Sequence, residues 1–274
     1  MSLPFSKYHG LGNDFILLDS RDLSAPLTPQ QVRAICHRHT GIGADGVLVR
    51  EPSEVADHRM VLTNADGGRA EISGNGLRCF VLYLYHRGEV GEGELSVETG
   101  GGVLRAWVRG EHEVETTMPV PVALKEAWAA GTKPKAQQLY AEGMSFSVLP
   151  VNVGNPHGVI FGPERDIAFA GKYGGSLEHD PVFPEGANIQ FAHLVSPTVV
   201  QLVVWERGAG VTLACGSGSV ATACAGCIAG LLRFDTPIAV KMPGGTLTIT
   251  VGGGFSWIRQ RGEVMKVYEG QCML

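Results

Sequence analysis

The stretch SGNG at residues 73–76 opens an apolar run, Leu77 to Tyr85, that predicts a helix buried on most sides. A second stretch, CGSG at residues 215–218, opens another helix in the second half of the chain. Each stretch puts a small nucleophilic side chain at a helix N-terminus, where free backbone N–H groups attract anions and lower the pKa of a thiol. The pair predicts a substrate held between two half-sites, one with the thiol of Cys215 and one with only the hydroxyl of Ser73.

The elements around these two stretches occur in a similar order in each half of the chain. In the first half, strands are predicted at 15–19, 46–49 and 60–63, a helix starts at Pro29 with Thr28 as N-cap, and a hairpin spans 94–108. In the second half, strands are predicted at 146–153, 188–194 and 199–206, with a Gly- and Asn-containing loop between the first two. Closing strands follow at 239–242, 246–251 and 255–260. This repetition indicates an internal duplication and an α+β fold.

A change in composition at residues 119–122, PVPV, marks the predicted boundary between two domains. The first domain takes residues 1–117 and, because the last strand returns to it, residues 262–274. The second takes residues 118–261. Residues 126–142 are more polar, and their hydrophobic residues have no clear period, so no element is predicted there.

Composition excludes several functional classes. The chain has 274 residues, 44% of them hydrophobic, with a net charge of −5 and no Lys/Arg cluster, which argues against a nucleic-acid partner. The N-terminus lacks the apolar core of a secretory signal, and the longest uncharged stretch, 208–232, is too weakly hydrophobic for a membrane span. Six irregularly spaced cysteines do not make a disulfide framework. A cytoplasmic enzyme with no membrane partner is therefore expected.

Two further cysteine patterns are better explained by structure than by chemistry. Cys224 and Cys227 form a CxxC, but both fall within the predicted buried helix, which favours packing over a redox or metal role. CHRH at residues 36–39 has no second ligand pair at a useful spacing, so no metal site is predicted.

Polar side chains in Gly- or Pro-bounded turns surround the two stretches. They are Asn64, Asn155, His157, Asn188, Glu206 and Arg207. Asn amides, an Arg fork and free backbone N–H groups recognise carboxylates, and a Glu can hold an ammonium group. This set of groups favours an amino-acid-like zwitterion as the ligand, although turn formation alone also explains the asparagines.

Six motifs occur in order along the chain: KYHGLGNDF (7–15), GIGADG (41–46), NADG (64–67), GNGLRC (74–79), GNPH (154–157) and ERGAG continuing to ACGSG (206–218). Together they are far more specific than any single Gly-rich loop. Through them the chain resembles the diaminopimelate epimerases over nearly its whole length.

The resemblance implies an isomerase that inverts one α-carbon of diaminopimelate, converting the LL form to the meso form for lysine and peptidoglycan biosynthesis. It implies no pyridoxal phosphate and no metal. The implied fold is two pseudo-symmetric domains, each a curved, mostly antiparallel sheet around a central helix, with the active-site cleft between them. In this family two cysteines face the α-carbon, and one thiolate removes the proton while the other thiol delivers one.

The resemblance also assigns site residues. Cys215 and Ser73 take the catalytic positions, and Glu206 and His157 orient the α-ammonium group and tune the bases. Asn64, Asn188 and Arg207 hold the distal end of the substrate. The full set of implied substrate contacts is Asn13, Asn64, Gly74, Asn75, Asn155, Asn188, Glu206, Arg207, Gly216 and Ser217.

Ser73 departs from the family, in which most members have a cysteine at this position. A serine hydroxyl is a poor base unless a neighbour activates it. Three explanations stay open: a natural serine variant that still epimerises, a Cys-to-Ser substitution made to trap a substrate complex, and a natural relative with altered chemistry. The alternative functions are an impaired relative that mainly binds ligand and an epimerase or racemase of another amino acid. A homodimer is also left open.

Overall fold

The chain forms two compact units in a computed structural model that describes residues 2–273. Unit 1 comprises the chain up to Thr117 together with the chain from Arg261 onward, and unit 2 comprises Met118–Gln260. Within residues 2–273 no helix is both long and apolar enough to span a bilayer.

Residues 2–118 form eight strands and two α-helices. They are β1 (Ser2–Gly10), β2 (Asn13–Asp19), α1 (Pro29–Cys36), β3 (Gly46–Glu51), β4 (His58–Asn64), β5 (Arg69–Ala70), α2 (Gly74–His86), β6 (Glu94–Thr99), β7 (Gly102–Gly110) and β8 (Glu113–Met118).

The rest of the described chain forms ten strands and three α-helices. They are α3 (Val122–Ala129), β9 (Gln137–Ala141), β10 (Met144–Asn152), β11 (Pro156–Phe161), α4 (Ile167–Glu178), β12 (Asn188–Ser196), β13 (Val199–Glu206), β14 (Gly210–Thr212), α5 (Gly216–Ala229), β15 (Ile238–Met242), β16 (Gly245–Val251), β17 (Ile258–Glu263) and β18 (Met265–Met273). The last strand, β18, pairs with β1 and so belongs to unit 1.

The two units share one pairing pattern. In unit 1, β1–β2 is antiparallel, β2–β3 parallel, β3–β4 and β4–β5 antiparallel, β4–β6 parallel and β6–β7 antiparallel. In unit 2, β10 to β16 repeat that series pair for pair. The predicted α+β fold of two pseudo-symmetric, mostly antiparallel halves is therefore confirmed.

Each unit is built around the helix that its Gly-containing stretch begins. Ser73 is the N-cap of α2 and its Oγ accepts a hydrogen bond from the Gly76 N–H at 3.0 Å. Ten residues of α2 are buried, and Leu77 and Phe80 lie in a core with residues of several strands. Eleven residues of α5 are buried, and small side chains along that helix allow it to be enclosed on nearly all sides.

Two segments that the sequence leaves without elements are ordered. The predicted loop between 153 and 188 contains strand β11 and helix α4, and the polar stretch from 126 to 142 contains the end of α3 and strand β9. Three glycines interrupt the periodic pattern of apolar residues in α4, so that pattern does not predict a helix. Asp166 nevertheless caps the helix by accepting a hydrogen bond from the Phe169 N–H at 2.8 Å. The predicted strand at 255–260 starts only at Ile258, because Gly253–Phe255 is a 3-10 turn with Gly254 at φ 61°.

Gly174 in α4 has a packing reason that sequence alone does not show. A Cβ at this position would lie 2.4 Å from the Trp205 ring, so the indole packs directly on the helix backbone. Gly174→Ala should destabilise the protein by about 1–3 kcal/mol, because the ring or the helix must move. Urea unfolding measures this. Gly171→Ala is the control, since its Cβ would make only an ordinary contact at 3.7 Å, and equal stability of the two variants would contradict the packing argument.

Candidate active site

Cys215 lies at the N-terminus of α5, as its N-cap. Its Sγ accepts from the Gly218 N–H at 3.3 Å and lies 3.5 Å from Ser217 Oγ, and the residue is only 4% exposed. A Cβ at position 218 would lie 3.2 Å from this sulfur, so glycine there lets the helix backbone approach the thiol. The first turn of α5 therefore holds Sγ with a backbone donor, in the arrangement that the sequence predicts.

Glu206 contacts this thiol directly. It ends strand β13, and its Oε2 accepts a hydrogen bond from Cys215 Sγ at 3.1 Å, while its Oε1 accepts from Thr212 Oγ1 at 2.5 Å. The thiol proton thus points at a carboxylate that a second donor holds in place. A thiol and a carboxylate joined by one proton form an acid–base pair.

The pKa of Cys215 is raised to about 12, chiefly by burial and then by the negative charge of Glu206. Hydrogen bonds from Ser217 and Gly218 act in the opposite direction and are outweighed. The expectation that the helix N-terminus lowers the pKa of this thiol is therefore wrong for the arrangement described, because burial and a like charge exceed the effect of the helix. At neutral pH Cys215 is a protonated thiol.

Glu206→Gln should lower the pKa of Cys215, since it removes the adjacent negative charge. A lower pKa means more thiolate at any pH below it, so alkylation of Cys215 by iodoacetamide at pH 8 should become about tenfold faster or more. Mass spectrometry of the peptide that carries Cys215 measures this rate. Glu164→Gln is the control, because Glu164 is a carboxylate of the same unit that is bonded to Gln201 and not to Cys215. An unchanged alkylation rate in Glu206→Gln would contradict the assigned cause.

Arg207 follows Glu206 in an exposed turn that two buried side chains hold. Asn188 Oδ1 accepts from the Arg207 N–H at 3.1 Å, and Asn188 Nδ2 donates to the Pro156 carbonyl at 3.1 Å. Glu178 accepts from the Gly208 N–H at 3.2 Å and from Trp205 Nε1 at 2.7 Å. Asn188, predicted to contact substrate, is 5% exposed and already uses both its amide atoms to position the turn. The sequence gives no signal for Glu178, which reaches the turn from helix α4.

His157 is fully buried at the start of β11, and its Nε2 lies 2.9 Å from Asn155 Oδ1. An amide oxygen can only accept, so Nε2 carries the proton in this contact. Burial, with a smaller contribution from the positive charge of Arg207, lowers the pKa of His157 to about 4. His157 is therefore a neutral ring at neutral pH, and its predicted tuning role must act through hydrogen bonding and not through charge.

Ser73 occupies in unit 1 the position that Cys215 occupies in unit 2. The two backbones match closely, with φ −135° and ψ 122° at Ser73 and φ −135° and ψ 114° at Cys215. The chemical surroundings differ. In unit 1, Asn64 is the last residue of β4 and pairs with Gly46 of β3. In unit 2, β12 and β13 repeat this pairing, so Glu206, the last residue of β13, is the counterpart of Asn64. Within the described part of unit 1, Ser73 Oγ has its hydrogen bond from Gly76 and none to a carboxylate.

Among the other predicted residues of unit 1, Asn13 and Asn75 are hydrogen-bonded to each other at the start of α2. Asn75 Nδ2 donates to Asn13 Oδ1 at 3.3 Å, and Asn13 Nδ2 donates to Asp45 Oδ2 at 2.8 Å. Gly74 and Asn75 open the helix, and Asn64 is exposed at the end of β4, the strand that pairs with β3. The remaining predicted site residues lie in unit 2: Cys215, Glu206, Arg207, Gly216, Ser217, Asn155, His157 and Asn188. No group of three or more His, Cys, Asp or Glu side chains among residues 2–273 is placed to hold a metal ion.

The chain is similar in sequence to a well-populated family. The family model described as "Diaminopimelate epimerase" matches residues 5–123 and 149–267. The diaminopimelate epimerase of Trichodesmium erythraeum is 38% identical over 279 residues, covering 98% of this chain and 99% of the relative. That of Synechocystis is 37% identical over 279 residues, covering 99% of each.

Solved structures share the fold at much lower identity. A hydroxyproline epimerase from Agrobacterium vitis matches with a TM-score of 0.69 at 15% identity, over 99% of this chain and 91% of that one. A PhzF-family phenazine biosynthesis protein from Bacillus anthracis matches with a TM-score of 0.69 at 15% identity, over all of both chains. At such low identity these matches show the fold alone.

Proposed function

The chain belongs to the diaminopimelate epimerase family, and we propose that it interconverts LL- and meso-diaminopimelate by cofactor-independent proton transfer at an α-carbon. The observation that carries the proposal is the hydrogen bond from Cys215 Sγ to Glu206 at the N-terminus of α5. It supplies a thiol proton, a neighbouring base and a backbone donor for the sulfur in one place.

Cys215 acts as the acid and base on one face of the α-carbon. In the free enzyme its raised pKa keeps it protonated, which suits proton delivery. When the substrate's α-ammonium group binds Glu206, the positive charge offsets the carboxylate that opposes ionisation, and the pKa of the thiol falls. Substrate binding thus converts the same group into a base when a proton must be removed.

The substrate α-carboxylate is held by the backbone N–H groups of Gly74 and Asn75 in one unit and of Gly216 and Ser217 in the other. Negative charge develops on this group as the α-proton leaves, and fixed N–H donors at two helix N-termini stabilise it. No cofactor is assigned to the reaction. Arg207 and Asn64 hold the distal end of the substrate, and Asn188 positions Arg207 by accepting a hydrogen bond from its backbone N–H.

Ser73 is the group on the opposite face and limits the rate. A hydroxyl can donate a proton but is a far weaker base than a thiolate, and the half-site around Ser73 has Asn64 where Cys215 has Glu206. This difference also favours the second candidate function, an impaired relative that binds diaminopimelate with little turnover.

Incubation of the protein with LL-diaminopimelate, followed by chiral chromatography, separates these functions. The expected result is slow formation of the meso isomer and no racemisation of L-proline or trans-4-hydroxy-L-proline. Calorimetric binding of diaminopimelate without any meso product would instead support the ligand-binding relative. The absence of both binding and product would overturn the substrate assignment.

A further inference from the structure

A chain of hydrogen-bonded side chains runs beside the N-terminus of α2. The guanidinium of Arg78 donates to Asn75 Oδ1, Asn75 Nδ2 donates to Asn13 Oδ1 at 3.3 Å, and Asn13 Nδ2 donates to Asp45 Oδ2 at 2.8 Å. Two of the predicted substrate contacts, Asn13 and Asn75, are thus the middle members of a four-residue series. The two outer members, Arg78 and Asp45, have no role assigned so far.

Chemistry fixes the direction of this series at both ends. A guanidinium has only donors, and although burial lowers the pKa of Arg78 to about 10, the group stays protonated at neutral pH. A carboxylate has only acceptors, and Asp45 is held as one by Arg38 Nη2 at 2.7 Å and by the Asp14 N–H at 3.0 Å. Each asparagine between them must turn its oxygen toward Arg78 and its nitrogen toward Asp45.

The Asp45 end of the series is anchored by further charges. Arg38 donates to both oxygens of Asp14, at 3.1 and 2.8 Å, and Lys7 lies 2.9 Å from the same carboxylate. Burial acts to raise the pKa of Asp14, but the hydrogen bonds from Arg38 and Lys7 outweigh it and bring the pKa to about 2. Because Arg38 also bonds Asp45, the acceptor end of the series is braced by an ion-pair network that persists through the neutral range.

A fixed amide direction has a consequence for recognition. Each Nδ2 carries two hydrogens and spends one within the series, so Asn13 and Asn75 each keep one N–H for a ligand. If either amide turned over, it would present a carbonyl oxygen in that place, which repels a carboxylate and accepts an amide or ammonium N–H. The direction of the series therefore decides which ligand group this half-site accepts.

We propose that Arg78 and Asp45 are positioning residues that hold Asn13 and Asn75 as N–H donors and so make the unit 1 half-site select a carboxylate over a carboxamide. The inference rests on the proposed function, which places the substrate α-carboxylate at the N-terminus of α2, where Asn75 and its hydrogen-bond partner Asn13 lie. It adds a specificity device that acts through residues not assigned to substrate contact.

The test is calorimetric titration with LL-diaminopimelate and with its diamide, in which both carboxylates are carboxamides. The Kd for the diamide divided by the Kd for LL-diaminopimelate measures the discrimination between carboxylate and carboxamide. Weaker binding of the diamide at the distal end of the substrate contributes equally in every variant. Arg78→Met removes the donor without leaving a buried charge, and Asp45→Asn removes the acceptor-only end. Arg78→Lys keeps a donor-only group. Arg50→Met removes a partly buried arginine whose carboxylate partners, Asp19 and Glu89, lie outside the series.

The ratio should fall about tenfold in Arg78→Met and in Asp45→Asn, the effect of one charge-assisted hydrogen bond. It should stay near the wild-type value in Arg78→Lys and in Arg50→Met. Wild-type discrimination retained in both Arg78→Met and Asp45→Asn would overturn the inference. Asp45 is accessible at the surface, so Asp45→Asn keeps the test decisive if Arg78→Met does not fold. Failure of the wild-type protein to bind diaminopimelate at all would instead count against the proposed function.

Discussion

Cys215→Ala should lower the rate of LL-to-meso conversion by at least about 10³-fold, because it removes the acid and base from one face of the α-carbon. Binding of diaminopimelate should persist, since Gly216 and Ser217 offer their backbone N–H groups whatever side chain precedes them. The measurements are kcat from chiral chromatography and Kd from calorimetry. A large fall in kcat with a small change in Kd identifies a group that acts on the reacting atoms.

Cys224→Ala is the matched control for this variant. Cys224 is also a buried thiol of α5, so its removal tests whether loss of packing in that helix explains a loss of rate. Cys224→Ala should keep kcat within a few-fold of wild type. If Cys215→Ala also kept it within a few-fold, Cys215 would not be the proton-transfer group.

Ser73→Cys should raise the rate of LL-to-meso conversion by about 10²- to 10³-fold, because it supplies a second thiol where only a hydroxyl is present. The backbone already accepts a cysteine there, since the dihedral angles of Ser73 and Cys215 differ by only a few degrees. The N-cap hydrogen bond from Gly76 also has its counterpart in the bond from Gly218 to Cys215 Sγ. The new thiol should therefore fit without a change in fold.

Ser73→Ala tests whether the hydroxyl itself takes part in proton transfer. It removes the N-cap, at a cost of about 1 kcal/mol in stability, and leaves no group to exchange a proton on that face. We expect its rate to fall below that of wild type while diaminopimelate still binds. A rate in Ser73→Cys no higher than wild type would mean that the hydroxyl is not the limiting group.

The fold could be predicted from sequence wherever hydrophobic pattern and capping agree. Thr28 and Gln31 form the capping box that begins α1, and the apolar run after Ser73 becomes α2. Helix α4 was not predicted because glycines interrupt its apolar pattern, and Gly174 is required by the Trp205 ring, a contact between residues distant in sequence. Local pattern carries no trace of such a contact.

The positions of the candidate catalytic residues at helix N-termini could be predicted from sequence, but their pKa values could not. The motifs place Cys215 and Ser73 at helix N-termini, and the structure agrees. The pKa of Cys215 could not be predicted from its cap position, because burial and Glu206 raise it. Glu178 and Asp45 reach the site residues through side-chain contacts that tertiary packing creates, and sequence spacing does not encode them.

The most direct test of the account is exchange of the substrate α-proton in D₂O, followed by ¹H NMR for LL- and meso-diaminopimelate separately. A thiol on one face and a hydroxyl on the other predict unequal exchange. The isomer whose α-proton faces Cys215 should exchange at least about tenfold faster than it inverts, and the other isomer should exchange no faster than it inverts. Ser73→Cys should remove the inequality. Equal, fast exchange from both isomers in the wild-type protein would contradict the claim that Cys215 is the one strong base of this site.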